Sequence, residues 1–184
     1  ISAVKDGKCF DTTMGLTPLE GIIMGTRCGS IDPAIIPVIM KSHNLTPDEV
    51  DHLMNKKSGM LGLAGTSDNR TIEQMSNNGD KKAQLVENML CHQLTKYIGG
   101  FAAAMGGVDA IVFTGGIGEN NPHYRSRVAE KIKFLGTEID EEKNSIRGEE
   151  VEISVPGSKV KMFVIPTNEE LVIARDTLEI VSNL

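Results

Sequence analysis

The chain has 184 residues, 40% hydrophobic and 24% charged, which suits one domain with a full core or one with a small appendage and excludes disordered and fibrous classes. A formal net charge of -6 argues against non-specific nucleic-acid binding, and no apolar run approaches a membrane span or a signal peptide. Cys9, Cys28 and Cys91 are scattered without a C-x-x-C, so neither a disulfide framework nor a zinc site is expected, and a reducing cytoplasm is the predicted setting.

The chain opens in Ile1-Ser2-Ala3-Val4 without a starting Met and is expected to be a segment of something longer. Ser2-Ala3-Val4 and Lys8-Cys9-Phe10 flank Lys5-Asp6-Gly7, and Asp-Gly between two such runs predicts a β-hairpin. A two-stranded hairpin is marginal alone, so a larger sheet is expected beside it. Gly15, Gly21, Gly25 and Gly29 then punctuate the chain and leave room only for a short helix near residues 18–24. Arg27, set among small residues, is either a clamp bonded to nearby carbonyls or an anion ligand presented by a glycine-rich loop. Asp32-Pro33 predicts a helix start with residues 34–41 following, and Pro37 early enough to be tolerated or to cause a small kink. Thr46 and Glu49 around Pro47 form a capping box for a second helix whose buried stripe is Val50, Leu53 and Met54. His43 and His52 lack metal-ligand spacing and read as surface or capping residues.

Residues 58–70 read as a loop in which apolar residues separate the glycines. Asp68 and Arg70 either cap a helix beginning near Thr71 or hold the sugar hydroxyls or base of a nucleotide. Ala83, Val86, Leu90, Leu94, Ile98, Phe101, Ala102 and Met105 keep helical spacing, so residues 80–105 are the long central helix. Gly99-Gly100 weakens it by roughly 1 kcal/mol per glycine and marks close approach of another backbone. His92 reads as a satisfied core or interface histidine.

The stretch around which the rest is organised is residues 109–122. Ile111 to Thr114 signal a buried strand, Gly115, Gly116 and Gly118 a tight turn, and Asn121-Pro122 a helix start. Glycine there lets backbone N–H groups approach a ligand, and a helix start suits phosphate; alternatively the turn needs glycine only for its dihedrals. Neither the dinucleotide fingerprint nor the Walker loop is present. Residues 122–135 form an amphipathic helix whose Arg125, Arg127, Lys131 and Lys133 mostly make a solvated face. Residues 140–145 read as a short helix or loop, and residues 151–155 and 160–165 as strands joined across Pro156-Gly157-Ser158. Asn168 caps a last helix running to about Val181. Glu169 and Glu170 in its first turn are explained by capping and dipole effects, or offer a place for hydrated magnesium. The sum is a mixed α/β layering, and the opening hairpin argues against an all-parallel doubly wound sheet.

Several of these loops together resemble one family. Pro18-Leu19-Glu20-Gly21, Met24-Gly25-Thr26-Arg27-Cys28-Gly29-Ser30-Ile31-Asp32-Pro33, Ser67-Asp68-Asn69-Arg70, Phe113-Thr114-Gly115-Gly116-Ile117-Gly118-Glu119-Asn120 and Ile165-Pro166-Thr167-Asn168-Glu169-Glu170-Leu171 look like the acetate kinase family, in its order and across nearly the whole chain. The resemblance implies an α/β, ribonuclease-H-like lobe of the actin and sugar-kinase type, with a mixed sheet and flanking helices. Residues 1–184 would be the carboxy-terminal nucleotide-binding and dimerisation lobe of a two-lobe kinase, and the amino-terminal lobe would lie outside this chain. It implies reversible phosphoryl transfer between ATP and acetate, giving acetyl phosphate and ADP, with Mg2+ and a cytoplasmic homodimer. Propionate kinase shares these motifs.

By the same resemblance, Arg27 matches the arginine that stabilises the transferring phosphoryl group. Asp68, Asn69 and Arg70 match the adenosine-contacting segment, and Gly115, Gly116, Ile117, Gly118 and Glu119 a further nucleotide-binding loop. Glu169 matches the glutamate that helps place magnesium, with Glu170 the neighbouring alternative, and Pro18 matches one wall of the acetate pocket. Because the family's catalytic histidine and most of its acetate pocket belong to the other lobe, the isolated chain is expected to be a nucleotide-binding and dimer-forming module without activity of its own.

Overall fold

A computed structural model describes residues 1–183. They fall into two compact units, Ile1–Gly107 and Val108–Leu184. In the first, β1 (Ser2–Lys5) and β2 (Lys8–Thr12) form the predicted antiparallel hairpin. Asp6 and Gly7 both take positive φ, 52° and 74°, the mirror-image turn whose twist matches the strands. The larger sheet expected beside it is not found among the described residues, where β1 and β2 pair only with each other. The hairpin is instead tied down at its ends: the Ile1 ammonium donates to Thr13 Oγ1 at 2.8 Å and Lys5 Nζ to the Met105 carbonyl at 3.2 Å.

Residues 18–24 make bends rather than the expected short helix. Their amides go to tertiary partners: Gly21 N–H to Ser30 Oγ and Ile23 N–H to Gln93 Oε1, so no ladder within the segment can form. Helix α1 (Ile35–His43) starts later than the sequence suggests, because Asp32 engages the Ala34 amide through its carboxylate and the Ile35 amide through its carbonyl, making a turn first. Helix α2 (Pro47–Lys56) carries the predicted capping box, with Thr46 Oγ1 accepting from the Glu49 amide and Glu49 Oε2 from the Thr46 amide. Val50 is buried, and His43 and His52 are exposed, as read.

The stretch read as a loop, residues 58–70, contains helix α3 (Gly59–Ala64) and the start of α4 (Asn69–Asn77). The central helix α5 (Lys81–Met105) is capped by Asp80, whose Oδ1 accepts from the Lys82 and Ala83 amides, and it is packed by α3 and α4 over a buried stripe including Ala83, Val86, Leu90 and Cys91. A Cβ at Gly99 or Gly100 would meet nothing within 4 Å, so no backbone among the described residues makes the close approach expected there, and His92 is exposed, which removes the core reading and leaves the interface one.

In the second unit, β3 (Ala110–Phe113) pairs in parallel with β5 (Lys161–Val164), which pairs antiparallel with β4 (Val151–Glu152), giving a mixed sheet of order β3-β5-β4. The strand expected over residues 151–155 is shorter because Ser154 leaves the β5 ladder and bridges to Ile139. Alternation places Ile111, Phe113, Met162 and Val164 toward a core with Ile153 and Ala129, while Val112 on the opposite face is 47% exposed. Helix α7 (Pro122–Lys131) supplies Ala129 and is capped by Asn121, whose Oδ1 accepts from the Tyr124 amide. A short helix α8 (Glu141–Asn144) follows, and the chain described ends in α9 (Glu169–Ser182), which buries no residue.

Two readings of the organising stretch are corrected. The glycines do not form a turn: Gly115–Asn120 is a six-residue helix, α6, between β3 and α7. Arg125 is no solvated residue either. It is fully buried on α7, with its guanidinium turned back onto the end of α6.

Candidate functional site

Arg27 stands on a loop whose backbone is pinned from several sides. Met24 N–H donates to the Arg27 carbonyl, Cys28 N–H to the Met54 carbonyl, and Ser58 N–H to the Thr26 carbonyl, while Thr26 Oγ1 donates to the Asn55 carbonyl. From the other side, the first amides of α3 meet the loop: Met60 N–H donates to the Met24 carbonyl at 3.0 Å and Leu61 N–H to the Gly25 carbonyl at 2.8 Å. Amides at a helix start lack partners inside the helix, so loop and helix satisfy one another. Gly59 makes this approach possible: its φ is +60°, and a Cβ there would lie 2.1 Å from the Met24 carbonyl oxygen.

Above this platform the Arg27 side chain is half-buried, and among the described residues its one hydrogen bond runs from a terminal nitrogen to the thioether of Met24 at 3.6 Å. A clamp would bond carbonyls; this guanidinium bonds none of them, and thioether sulfur is a weak acceptor. A rigid base with an unsatisfied planar fork is what recognition of a phosphoryl oxygen pair requires. The neighbouring Cys28 thiol is pushed up from its usual range by burial, which makes it a poor nucleophile beside the arginine.

The other candidates of this unit are joined to the same loop. Gly25 packs against Ser67, where a Cβ would lie 3.2 Å from the serine Cβ. Ser67 precedes Asp68, the N-cap of α4, whose Oδ1 accepts from the Thr71 amide at 2.8 Å; that bond holds the carboxyl below its usual range. Capping therefore accounts for Asp68 by itself. Asn69 is different, because its Oδ1 is buried without a hydrogen-bond partner, a state that calls for a ligand or a water. Arg70 is exposed. Pro18 is exposed in the bend before Gly21, and Ser30 N–H donates to the Gly21 carbonyl, tying that bend to the end of the Arg27 loop.

In the second unit the parallel strands β3 and β5 end side by side, and Ile165 N–H continues their ladder to the Phe113 carbonyl. The carboxyl ends of neighbouring parallel strands are where α/β sheets place ligands. Here the segment after β3 begins α6 and the segment after β5 begins α9. Glu119 joins them: its Oε1 accepts from the Gly115 amide at 2.7 Å and from the Thr167 amide at 2.6 Å, and the Thr114 and Thr167 hydroxyls meet at 2.7 Å. The bond from the Thr167 amide is the main reason that the Glu119 carboxyl is held below its usual range.

The glycines of α6 serve different ends. Gly115 takes φ +70° and Gly118 packs on the Phe113 backbone, where a Cβ would lie 3.1 Å from the carbonyl carbon. At Gly116 a Cβ would meet nothing within 4 Å, so packing among the described residues does not explain its missing side chain. Behind α6, Arg125 donates to the Gly118 and Glu119 carbonyls at 2.7 and 2.9 Å, to Asn144 Oδ1 at 2.8 Å, and to the Asn144 and Ile146 carbonyls, both at 2.6 Å. These five acceptors match the five donors of a guanidinium. Burial lowers its pKa to about 10, so it keeps its charge at neutral pH. Asn168 performs the capping of α9, accepting from the Leu171 amide at 3.1 Å. Glu169 next to it is exposed and makes no hydrogen bond among the described residues, which leaves a hard oxygen donor available to a magnesium ion.

The structure thus gathers the predicted residues into two groups. Arg27, Pro18 and the segment of residues 68–70 share one framework, and Gly115 to Glu119 share another with Glu169. Sequence reasoning missed Gly59, Thr167 and Arg125. A glycine at a helix start was the available signal for the first; nothing local distinguishes Arg125 from the other cations of its segment, of which Lys131 and Lys133 are exposed.

The comparisons with known proteins agree with one another. The acetokinase family matches residues 1–175. The acetate kinase of Carboxydothermus hydrogenoformans is 57% identical over 183 residues, covering 100% of this chain and 46% of its own length, and that of Treponema denticola is 52% identical, covering 98% and 46%. Among solved structures, Porphyromonas gingivalis acetate kinase superposes with a TM-score of 0.92 at 45% identity, over 98% of this chain and 46% of its own. A propionate kinase from Francisella tularensis superposes with a TM-score of 0.87 at 42% identity, over 94% and 44%. The chain spans about half the length of the relatives it matches. Its α/β architecture with a mixed sheet and flanking helices is that of these kinases, the ribonuclease-H-like type of lobe that the loop motifs implied. On this ground, the chain belongs to the acetokinase family.

Proposed function

We propose that the polypeptide carrying this chain transfers the γ-phosphoryl group of ATP to acetate, giving acetyl phosphate and ADP, and runs the reverse reaction. In the forward direction an acetate oxygen forms a bond to the γ-phosphorus while the bond from that phosphorus to the β,γ-bridging oxygen breaks, leaving its electron pair on ADP. The transition state is loose, so the protein acts mainly by positioning and by neutralising charge on the equatorial oxygens. Arg27 supplies that charge. The observation that carries the reading is its guanidinium, bonded to no carbonyl above a backbone pinned by α2 and α3.

Asp68, Asn69 and Arg70 take the adenosine, a role supported at Asn69 by its unpartnered acceptor. Gly115, Gly116, Ile117, Gly118 and Glu119 shape a further nucleotide contact, and Pro18 forms one wall of the acetate pocket. Glu169 would help to hold Mg2+, with Glu170 beside it. Magnesium commonly binds through one or two carboxylates and the substrate phosphates, and no group of three His, Cys, Asp or Glu side chains converges among the described residues, so the ion would be shared with ATP. When bound, it neutralises phosphate charge and helps to align the transferring group.

The partially buried side of α5, with Leu94, Ile98, Phe101 and Met105, supports association into a homodimer, and none of the described helices is long and apolar enough to cross a membrane. The cytoplasm is the proposed setting. The Francisella propionate kinase favours propionate as a second acceptor. The isolated chain is a nucleotide-binding and dimerising module without turnover. Trapping acyl phosphate as hydroxamate tests these statements: the native full-length polypeptide should form it from acetate with MgATP faster than from propionate. No formation from either acid would end the kinase reading, and formation by the isolated chain would end the module reading.

A further inference from the structure

We propose that Glu119 is a positioning residue which, backed by buried Arg125, locks the glycine helix α6 and the Glu169 end of α9 into one register. The inference rests on the nucleotide and magnesium reading above and deepens it. A residue at the end of a nucleotide-binding loop would ordinarily be read as a ligand contact. Glu119 is already engaged: one carboxylate oxygen receives the first amide of α6 and the Thr167 amide, 2.7 and 2.6 Å away. Thr167 lies two residues before Glu169, and Asn168 between them is the cap of α9. The bond therefore runs between two segments 48 residues apart in the chain and fixes the start of both helices at once.

The other end of the latch is equally fixed. The Glu119 carbonyl accepts from Arg125 at 2.9 Å and the Gly118 carbonyl at 2.7 Å, so the last carbonyls of α6 are held by a cation that also bonds the Asn144 and Ile146 carbonyls. Helix α6 has only six residues and cannot hold its own geometry, since short helices depend on tertiary contacts. Arg125 grips its carboxyl end and the side chain of its own residue Glu119 returns to its amino end. Carboxylate bonds to amides are among the stronger hydrogen bonds and set geometry. The consequence is coupling: a displacement of α6 must pass through Glu119 and Thr167 to Glu169, so the glycine helix and the magnesium carboxylate act as one body.

A double-mutant cycle in the native full-length polypeptide tests this, reading the Kd of ADP with excess Mg2+ by calorimetry for wild type, Glu119→Ala, Glu169→Ala and the pair. Glu119→Ala should raise the Kd about tenfold, and the pair should be weakened no more than about twofold beyond the weaker single variant. Glu119→Gln keeps an oxygen acceptor without the charge and should restore most of the affinity, which a direct charge contact to metal or ligand would not allow. Ligand-free amide hydrogen exchange at Gly115 and Thr167 should quicken together in Glu119→Ala and recover in Glu119→Gln, with exchange in α5 unchanged. Losses that multiply independently would overturn the coupling, as would a Gln variant as weak as Ala. Failure of the wild type to bind MgADP would overturn the nucleotide reading and the coupling with it.

Discussion

The Arg27 loop and the glycine helix α6 are built by opposite strategies. At Arg27 the backbone is held and the side chain is left with one weak partner among the described residues, whereas at α6 the side chains of Glu119 and Arg125 do the holding and the exposed backbone at Gly116 is what remains. In the first region a charge is presented; in the second a surface is kept open. Each arrangement should give a different signature on mutation if, as proposed, the conspicuous side chain serves chemistry in one and structure in the other.

The largest expected effect falls on the first. Arg27→Ala in the full-length polypeptide should lower kcat by roughly 10³–10⁵, the arginine-finger range, or about 4–7 kcal/mol of barrier. The KM for ATP should change far less, since charge felt mainly in the transition state does not affect ground-state binding. Arg27→Lys should recover only part of the loss, because a point charge cannot make two parallel hydrogen bonds. Steady-state kinetics with a melting curve on the same variants decide the matter: lost stability with normal turnover would return Arg27 to the role of a clamp and dissolve the contrast.

Next in size is the platform beneath it. Gly59→Ala must place a methyl group against the Met24 carbonyl, 2.1 Å away before any adjustment, at a φ of +60°. A cost of about 1–3 kcal/mol in urea unfolding is expected, the range for a strained backbone position. Turnover should fall as well, because the same atoms carry the Arg27 loop.

Gly116→Ala sharpens the contrast from the other side. Its Cβ has open space, and alanine favours helix by up to about 1 kcal/mol, so stability should hold or rise slightly. Nucleotide affinity, read by calorimetry, should nevertheless drop by about tenfold, or roughly 1.4 kcal/mol. Unchanged affinity would show that the open face of α6 meets no ligand.

The smallest effect is a pH dependence. The Glu119 carboxyl is held below its usual value by the Thr167 and Gly115 amides, so its contribution to stability is present above the unfolded pKa of about 4.3 and is lost as pH falls through the lower, folded value. Glu119→Gln does not titrate. Between about pH 5 and pH 3 the wild type should therefore lose more of its melting temperature than the Gln variant does. Parallel curves would mean that the latch is formed equally well by the protonated acid.

Local chemistry was sufficient for much of this protein. The Asp-Gly hairpin, the capping box of Thr46 and Glu49, the long stripe of α5 and the Asn168 cap each depend on residues within a few positions of one another, and each was legible in the sequence. The loop motifs around Arg27, Asp68, Gly115 and Glu169 were legible too, as a resemblance in order along the chain, and the family matched over residues 1–175 bears that out.

Only the tertiary structure decided where backbone groups found distant partners. Residues 18–24 fail to form a helix because Ser30 and Gln93 take their amides. The glycines after β3 become a helix because Glu119 and Arg125 hold its two ends. Arg125 sits in sequence among Arg127, Lys131 and Lys133, and charge alone placed all four in water. Burial of a guanidinium is tolerable only where every donor is met, and its acceptors come from residues as far along as Ile146, a set that no window of sequence around Arg125 displays.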